Sequence, residues 1–373
     1  MDISQFGRAA NNLVLDTSSS NLKFAVGSYN SKTGIIQLEK FGVVPLELET
    51  ITDGAISDNF GVVMALKHAM AKHDIKNRNV IVTTEGAFMH SRDLELPAVT
   101  ETQLKDMVKY EILGQGSANR DMLVEYIITG KFHDEESNSE KYRVRATAIP
   151  KDVAMDYKDF IKNMDMSPVA LDVNPNAIRK LFSNGMINGT VNVSNSTLLL
   201  IELAGKTTTI TVLDKGYPIL SRRLQFGHAN ISQVAETLKK MQGGADKTSS
   251  LARRLNISKS DSESAVDLAD IDLWHEALSE TPTLQSAANA YFKSLTDAVS
   301  RTAQFSISKF HVDSISTCFL YGSGASYRKI DKELSRQLGT QVEVLNTLST
   351  VIGPKNFELP QFINCCGALI RED

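Results

Sequence analysis

Leu13-Val14-Leu15-Asp16-Thr17-Ser18-Ser19-Ser20-Asn21-Leu22-Lys23 is the stretch on which the fold turns. A short apolar run ends in an acid, a polar Ser-rich turn follows, and β-branched and aromatic residues resume over Leu22 to Tyr29 and Ile35 to Val44. Strand-sized apolar runs punctuated by turn residues predict three strands between Asn12 and Val44. The pattern returns at Thr197. Leu198 to Leu203 carries Glu202, Ala204 to Lys206 forms a tight turn, and Thr207 to Leu213 reads as a strand. Asp214-Lys215-Gly216 makes a hairpin turn into a third strand from Tyr217 to Phe226. A spacing of 186 residues between Asp16 and Glu202 therefore suggests two related halves.

A third element follows near the C-terminus. Cys318-Phe-Leu-Tyr-Gly322-Ser-Gly324-Ala325 precedes a helix to Leu338, then Gly339 and a strand from Val342 to Leu345. A strand entering a glycine turn and a helix offers backbone N–H groups to a ligand. Between the two halves, helical spacing predicts a helix from about Asp58 to His73, and Val80 to Thr84 reads as a strand. The texture changes over 85–168. Thr100 with Gln103 signals the start of a helix running to Ile112. Met122 to Phe132 and Tyr142 to Ile149 read as a hairpin with a long solvated tip over His133 to Lys141, and Pro150 precedes a helix to Met164. This is a helix, hairpin, helix insert. Val234 to about Leu284 is polar and reads as surface helices with a loop. Ser286 to Phe310 reads as one helix with Ala287, Ala290, Tyr291, Leu295, Ala298, Val299 and Phe305 facing inward.

Composition excludes several function classes. At 373 residues, 42 % hydrophobic and 23 % charged, the chain has ordinary globular usage and enough length for two or three domains. Its net charge of −4 gives no basic excess to drive phosphate-backbone binding, so nucleic acid is not the expected partner. The three cysteines, Cys318, Cys365 and Cys366, form no disulfide framework, and the adjacent pair reads as helix packing. No secretory signal and no apolar run of membrane-spanning length is visible. Gly205-Lys206-Thr207 is not a P-loop, because Leu200 stands where the opening glycine belongs. The seven histidines show no metal spacing; His68 and His73 are five apart, off one helical face.

The duplicated strand pattern and the Gly322 turn resemble the actin-like ATPase superfamily, and within it the chain resembles the PilM family of type IV pilus assembly proteins, itself similar to FtsA. Asp16 to Lys23 is similar to the first phosphate motif, D-I-G-S-S-x-x-K. Leu94-Glu-Leu-Pro97 resembles the start of the insert called 1C, and Leu171-Asp172-Val-Asn-Pro-Asn-Ala-Ile resembles the connector into the second domain. Gly216 to Gly227 resembles the G-x-P-x-x-x-R … G-G stretch, and Gly322-Ser323-Gly324-Ala325 the adenosine motif.

The resemblance implies an α/β fold of two related actin-like, ribonuclease H-like domains around a nucleotide cleft. Its parts would be a first core at 1–84 (1A), the 1C insert at 85–168, a second core at 169–228 (2A), a 2B-like helical subdomain at 229–310 and the rest of the second core at 311–373. It implies ATP and Mg²⁺ as cofactors. Nucleotide contacts would come from Asp16, Ser18, Ser19, Ser20, Lys23, Glu202, Ala204, Gly205, Lys206, Thr207, Gly227, Gly322, Ser323 and Gly324. The Ser18 to Ser20 hydroxyls and turn N–H groups would face phosphate. Metal would be held by Asp16, Glu202 and Asp172, with Mg²⁺ keeping waters. No residue is assigned a catalytic role.

The chain departs from the pattern at Ser18, Glu202, Ala204 and His228, where the family has Gly, Asp, Gly and Gly. Glu for Asp moves a carboxylate by about 1 Å, and misplacement on that scale can cost roughly 10²-fold. The resemblance thus implies a cytoplasmic scaffold with weak or no hydrolysis. It would dock on the N-terminal tail of a PilN-like inner-membrane protein, contact other pilus components, and reach the inner face of the membrane through that partner. Self-association is left open. The alternatives are an FtsA-like polymerising protein or an active ATPase or kinase using Asp172.

Overall fold

The computed structural model describes residues 11–19, 21–47, 49–114, 121–231, 233, 282–312 and 314–372. The chain divides into two units, Met1–Ser28 with Lys40–Ala177, and Tyr29–Glu39 with Ile178–Asp373.

The first unit opens with β1 (Asn12–Asp16), β2 (Leu22–Asn30) and β3 (Ile35–Val44), followed by the small hairpin β4 (Ile51–Thr52) and β5 (Ala55–Ile56), α1 (Asn59–Lys72) and β6 (Asn79–Thr84). β7 (His90–Pro97), α2 (Glu101–Leu113), β8 (Met122–Asp134) and β9 (Ser139–Pro150) come next, then α3 (Lys151–Lys162), β10 (Ser167–Val173) and α4 (Asn174–Leu181). The main sheet runs β10-β6-β1-β2-β3. β1 is antiparallel to β2 and parallel to β6, which is parallel to β10. Leu13, Val14 and Leu15 are all buried, as the uninterrupted apolar run requires of a strand covered on both faces. Val62 and Leu66 of α1 and Val153, Tyr157 and Phe160 of α3 share a core with Leu13, Leu15 and Phe24. The Asp58 carboxylate caps α1 by accepting the Gly61 N–H at 3.1 Å.

The strands β7, β9 and β8 form a separate antiparallel sheet in that order. With α2 it encloses its own core of Leu94, Leu96, Leu104, Val108, Val144 and Ala146. The Thr100 N–H and hydroxyl both donate to Gln103 Oε1 at the start of α2. Three features here differ from the sequence expectation. β7 is a strand, although only Leu94 and Leu96 of its eight residues are buried. The solvated tip is largely paired: Lys131 faces Tyr142 and His133 faces Glu140, so only 135–138 turn. Cross-strand ion pairs, Lys131 to Glu140 at 3.1 Å and Lys141 to Asp134 at 2.6 Å, favour extended pairing in this polar stretch. Finally, α3 packs into the core of the main sheet rather than that of the small one.

The second unit contains β11 (Met186–Ile187), β12 (Val191–Asn192), β13 (Thr197–Leu203), β14 (Thr208–Asp214), β15 (Tyr217–Leu224) and the long α5 (Pro282–Phe310). β16 (Thr317–Tyr321), α6 (Ile330–Leu338), β17 (Val342–Val344), β18 (Val351–Ile352) and α7 (Ile363–Leu369) complete it. Its sheet runs β15-β14-β13-β16-β17, and β18 pairs with Ile36 and Gln37 of β3, the part of that strand that belongs to this unit. Central β13 is antiparallel to β14 and parallel to β16, the arrangement of β1 with β2 and β6. The 186-residue sequence repeat is therefore also a repeat of topology. Lys215 (φ 50°) and Gly216 (φ 84°) make the two-residue left-handed turn that suits a twisted hairpin.

Leu284, Ala288, Tyr291, Phe292, Leu295 and Val299 of α5 cover this sheet. Ala290 and Phe305, expected inward, are exposed, while Ala288 and Phe292 point in. Apolar residues surround this helix on more than one face, so spacing alone did not select the buried stripe. The helix expected directly after the Gly322 turn is instead one 3-10 turn over Ser323–Ser326, with α6 beginning at Ile330. Every residue of α7 is buried, Cys365 and Cys366 included. The polar region from Val234 expected to hold surface helices lies outside the described residues as far as Thr281. Among the described residues no helix is long and apolar enough to cross a membrane.

Candidate functional site

Asp16 ends β1 and is fully buried. Register sets it opposite Lys23 of β2 and Thr83 of β6, and Thr83 in turn faces Asp172 of β10. Three adjacent strands thus present Asp16, Thr83 and Asp172 in one row. The Ser18 N–H and hydroxyl both donate to Asp16 Oδ1, at 3.0 and 2.5 Å. This is the Asx-turn that an Asp followed by small polar residues favours. Lys23, also buried, places Nζ 4.0 Å from Asp16 Oδ2 and supplies the counter-charge that a buried carboxylate needs.

The phosphate-facing turn expected here is accordingly directed elsewhere. The Thr17 N–H donates to Thr83 O, the Ser18 hydroxyl to Asp16, and the Ser19 hydroxyl to Asn21 O. Ser20 lies outside the described residues. Beneath the turn, Tyr157 of α3 places its hydroxyl 2.6 Å from Thr17 Oγ1 and 3.2 Å from Thr84 Oγ1, and hydrogen-bonds Gly54 O. Burial pushes this phenol up to about 12. The sequence reading missed Tyr157; a lone polar-tipped aromatic on the apolar face of α3 was the available signal.

In the second unit Glu202 lies next to last in β13, opposite Thr209 of β14 and Tyr321 of β16. It is almost fully buried and accepts a hydrogen bond from Asn364 Nδ2 at 3.2 Å. Asn364 is the one polar residue within α7, which is the signal that could have found it. The Ala204 N–H donates to Thr207 O and closes the following turn, leaving Lys206 exposed and Thr207 buried. Gly227 lies against that turn so closely that a Cβ would sit 2.3 Å from Gly205 O and 2.4 Å from Ala204 O. The His228 and Ala229 N–H groups donate to Ala204 O and Gly205 O.

The His228 side chain reaches the third segment. Its Nε2 is 2.9 Å from Ser323 Oγ and its Nδ1 is 3.2 Å from the Tyr327 hydroxyl. Its Cδ2 stands 2.8 Å from where a Cβ on Gly324 would lie. Gly322, at φ 85°, turns sharply out of β16 and donates its N–H to Pro360 O at 2.8 Å. Glu202, Ala204 to Thr207, Gly227 and Gly322 to Gly324 thus belong to one end of this unit's sheet. Asp16, Ser18 and Lys23 gather at one end of the other unit's main sheet.

Two of the three residues implied to hold Mg²⁺, Asp16 and Asp172, are not placed to share one ion. Asp16 and Asp172 sit on either side of β6, about 9–10 Å apart at two strand spacings. Each carboxylate has its own protein donors: Asp172 Oδ1 accepts from the Val173 N–H and Asn176 Nδ2, both at 2.8 Å. Among the described residues no three His, Cys, Asp or Glu side chains are placed to share an ion. The Gly322 turn, expected to receive adenosine, already carries an imidazole.

A second feature belongs to the small sheet of the first unit. A cavity of about 520 Å³ opens between α2 and β8, lined by Val99, Leu104, Val124, Tyr126, Ile128 and Tyr142 with Glu101, Glu125 and Lys105. Burial, then Glu101 and Glu125, raise the Tyr126 phenol above its ordinary value.

A family model described as type IV pilus assembly protein PilM matches residues 14–358. Among solved structures the chain is similar to a PilM-PilN type IV pilus biogenesis complex, at 17 % identity and a TM-score of 0.68, covering 96 % of this chain and 98 % of that one. It also matches the ethanolamine utilization protein EutJ from Carboxydothermus hydrogenoformans, at 12 % identity and a TM-score of 0.47, covering 96 % and 89 %. MreB5 of Spiroplasma citri bound to AMPPNP matches at 13 % identity and a TM-score of 0.44, covering 96 % and 95 %. The fold of this chain is the actin-like one.

Proposed function

The chain belongs to the family of the type IV pilus assembly protein PilM, and from that premise we propose that it is a scaffold of a pilus-assembly machine docking on the N-terminal cytoplasmic tail of a PilN-like inner-membrane protein. The observation that carries this is a family match running through both units. The scaffold divides as a first core at 1–84, rejoined by α3 and β10 after the insert, and then 169–228, 229–310 and 311–373, the insert being the small sheet and α2 between them. It works at the inner face of the cytoplasmic membrane, reached through its partner, beside other pilus components. Nucleic acid has no part in it.

ATP turnover is weak or absent in this proposal. Glu202 and Ala204 stand where Asp and Gly belong, and the Asp16 and Asp172 carboxylates are already held by protein donors. The tail is received by the cavity between α2 and β8. Its lining mixes Val99, Leu104, Val124 and Ile128 with Glu101, Glu125 and one base, Lys105, which suits an extended segment of mixed apolar and basic character next to a membrane span, where Lys and Arg concentrate on the cytoplasmic side.

Fluorescence anisotropy of a labelled tail peptide titrated with the full chain tests the proposal. Saturable binding is expected, reduced at least tenfold in Tyr126→Ala. Absence of binding to the cognate tail refutes the docking function, and binding untouched by Tyr126→Ala or Ile128→Asp refutes the cavity as its place.

A further inference from the structure

We infer that His228 is a built-in ligand of the Gly322 turn, so that this chain keeps the nucleotide-facing end of its second unit closed with its own imidazole and binds ATP or ADP only weakly. The inference rests on reading Gly322 to Ala325 as the adenosine-facing turn; it is independent of tail docking.

His228 joins three segments distant in sequence. Its backbone N–H closes on Ala204 O at 3.2 Å, and its ring bridges Ser323 and Tyr327. Both hydroxyls can donate or accept, so a neutral imidazole, with one donor and one acceptor nitrogen, is satisfied in either tautomer. The ring stands edge-on to Tyr327, with centroids 5.4 Å apart at 90°, and the residue is nearly fully buried. Close approach at Gly324 leaves no gap on the turn side, where Cδ2 and Leu203 Cβ each lie 2.8 Å from a Cβ position.

A glycine at 228 would leave that space open. In this chain that space holds a planar, aromatic, hydrogen-bonding ring. Neighbouring Gly227 keeps the loop in place, because no side chain fits between it and the Ala204–Gly205 carbonyls. A nucleotide seeking the turn must first displace the imidazole. The loss of two net hydrogen bonds corresponds to a weakening of roughly 10–100-fold.

The test is calorimetric titration of the full chain with ATP and ADP, each with Mg²⁺ and with EDTA. The expected result is no saturable binding below about 1 mM; micromolar binding by the wild type overturns the inference. His228→Gly should gain at least tenfold in nucleotide affinity. A folded His228→Gly, judged by its circular dichroism and cooperative melting, that gains nothing also overturns it. If that variant does not fold, the pair Ser323→Ala and Tyr327→Phe, which frees the ring, should give the gain, and its absence is equally decisive. A chain that binds micromolar ATP and also the tail loses only the imidazole lock. One that binds neither loses only the docking function.

Discussion

Tyr157→Phe removes one oxygen from the first unit and tests whether α3 holds the Asp16 turn. The phenol is buried with Thr17 Oγ1 at 2.6 Å, Thr84 Oγ1 at 3.2 Å and Gly54 O against it. Thr84 keeps its own bond to Gly54 O at 3.0 Å, so that carbonyl is not orphaned by the change. Thr17, wholly buried, loses its hydroxyl partner. One net hydrogen bond contributes about 1 kcal/mol and a buried polar group left unmatched costs about 1–3 kcal/mol, so a loss of about 2–4 kcal/mol is expected. The benzene ring still fills its space, which excludes a cavity as the cause. Urea unfolding followed by circular dichroism measures it as a lowered midpoint at unchanged slope. The phenol also has a pH signature. Its folded value, about 12, exceeds the ordinary 10, so its contribution is complete below pH 10 and is lost as pH rises toward 12. Tyr157→Phe should flatten that alkaline decline. A variant within about 0.5 kcal/mol of wild type, with the decline intact, refutes the bracing role.

The Asp16–Lys23 pair should behave as a buried ion pair. Lys23→Met or Asp16→Asn alone is expected to cost about 3–5 kcal/mol in urea unfolding by stranding its partner, and the double variant should recover much of that; additive losses would refute the pairing. Gly227→Ala puts a methyl 2.3 Å from a backbone oxygen that no side-chain rotation can move, so its melting temperature should fall by several degrees, and an unchanged value would show that the loop yields freely. Asp134 is held at about 2 by its hydrogen bond to Lys141 and then by Ser137. Its contribution to the β8–β9 tip is complete above its ordinary value near 4 and is lost as pH falls toward 2; tip amide exchange should speed up over that window in wild type but not in Asp134→Asn.

The strands around Asp16 and Glu202 were legible because a short apolar run between turn residues has few alternatives. Asp58 and Thr100 likewise announced the starts of α1 and α2 through local hydrogen bonds to Gly61 and Gln103. β7 was missed because Ser91, Arg92 and Asp93 face solvent, leaving too little alternation to read. The tip of β8 and β9 was missed because cross-strand charge pairs, not apolar contacts, extend it. For α5 the helix was plain and its buried face was not, since alanines are compatible with either side.

Local pattern by itself determined the two halves, the separate texture of the insert and the glycine turn, because strand periods and turn chemistry act over a few residues. Only the tertiary structure decided what the candidate site residues touch. Tyr157 meets Thr17 across 140 positions and His228 meets Tyr327 across 99. Lys23, which the resemblance set toward nucleotide, turns to Asp16. Burial is what fixes these partners: a polar group removed from water must find its match inside the fold, and which match it finds depends on every element packed around it.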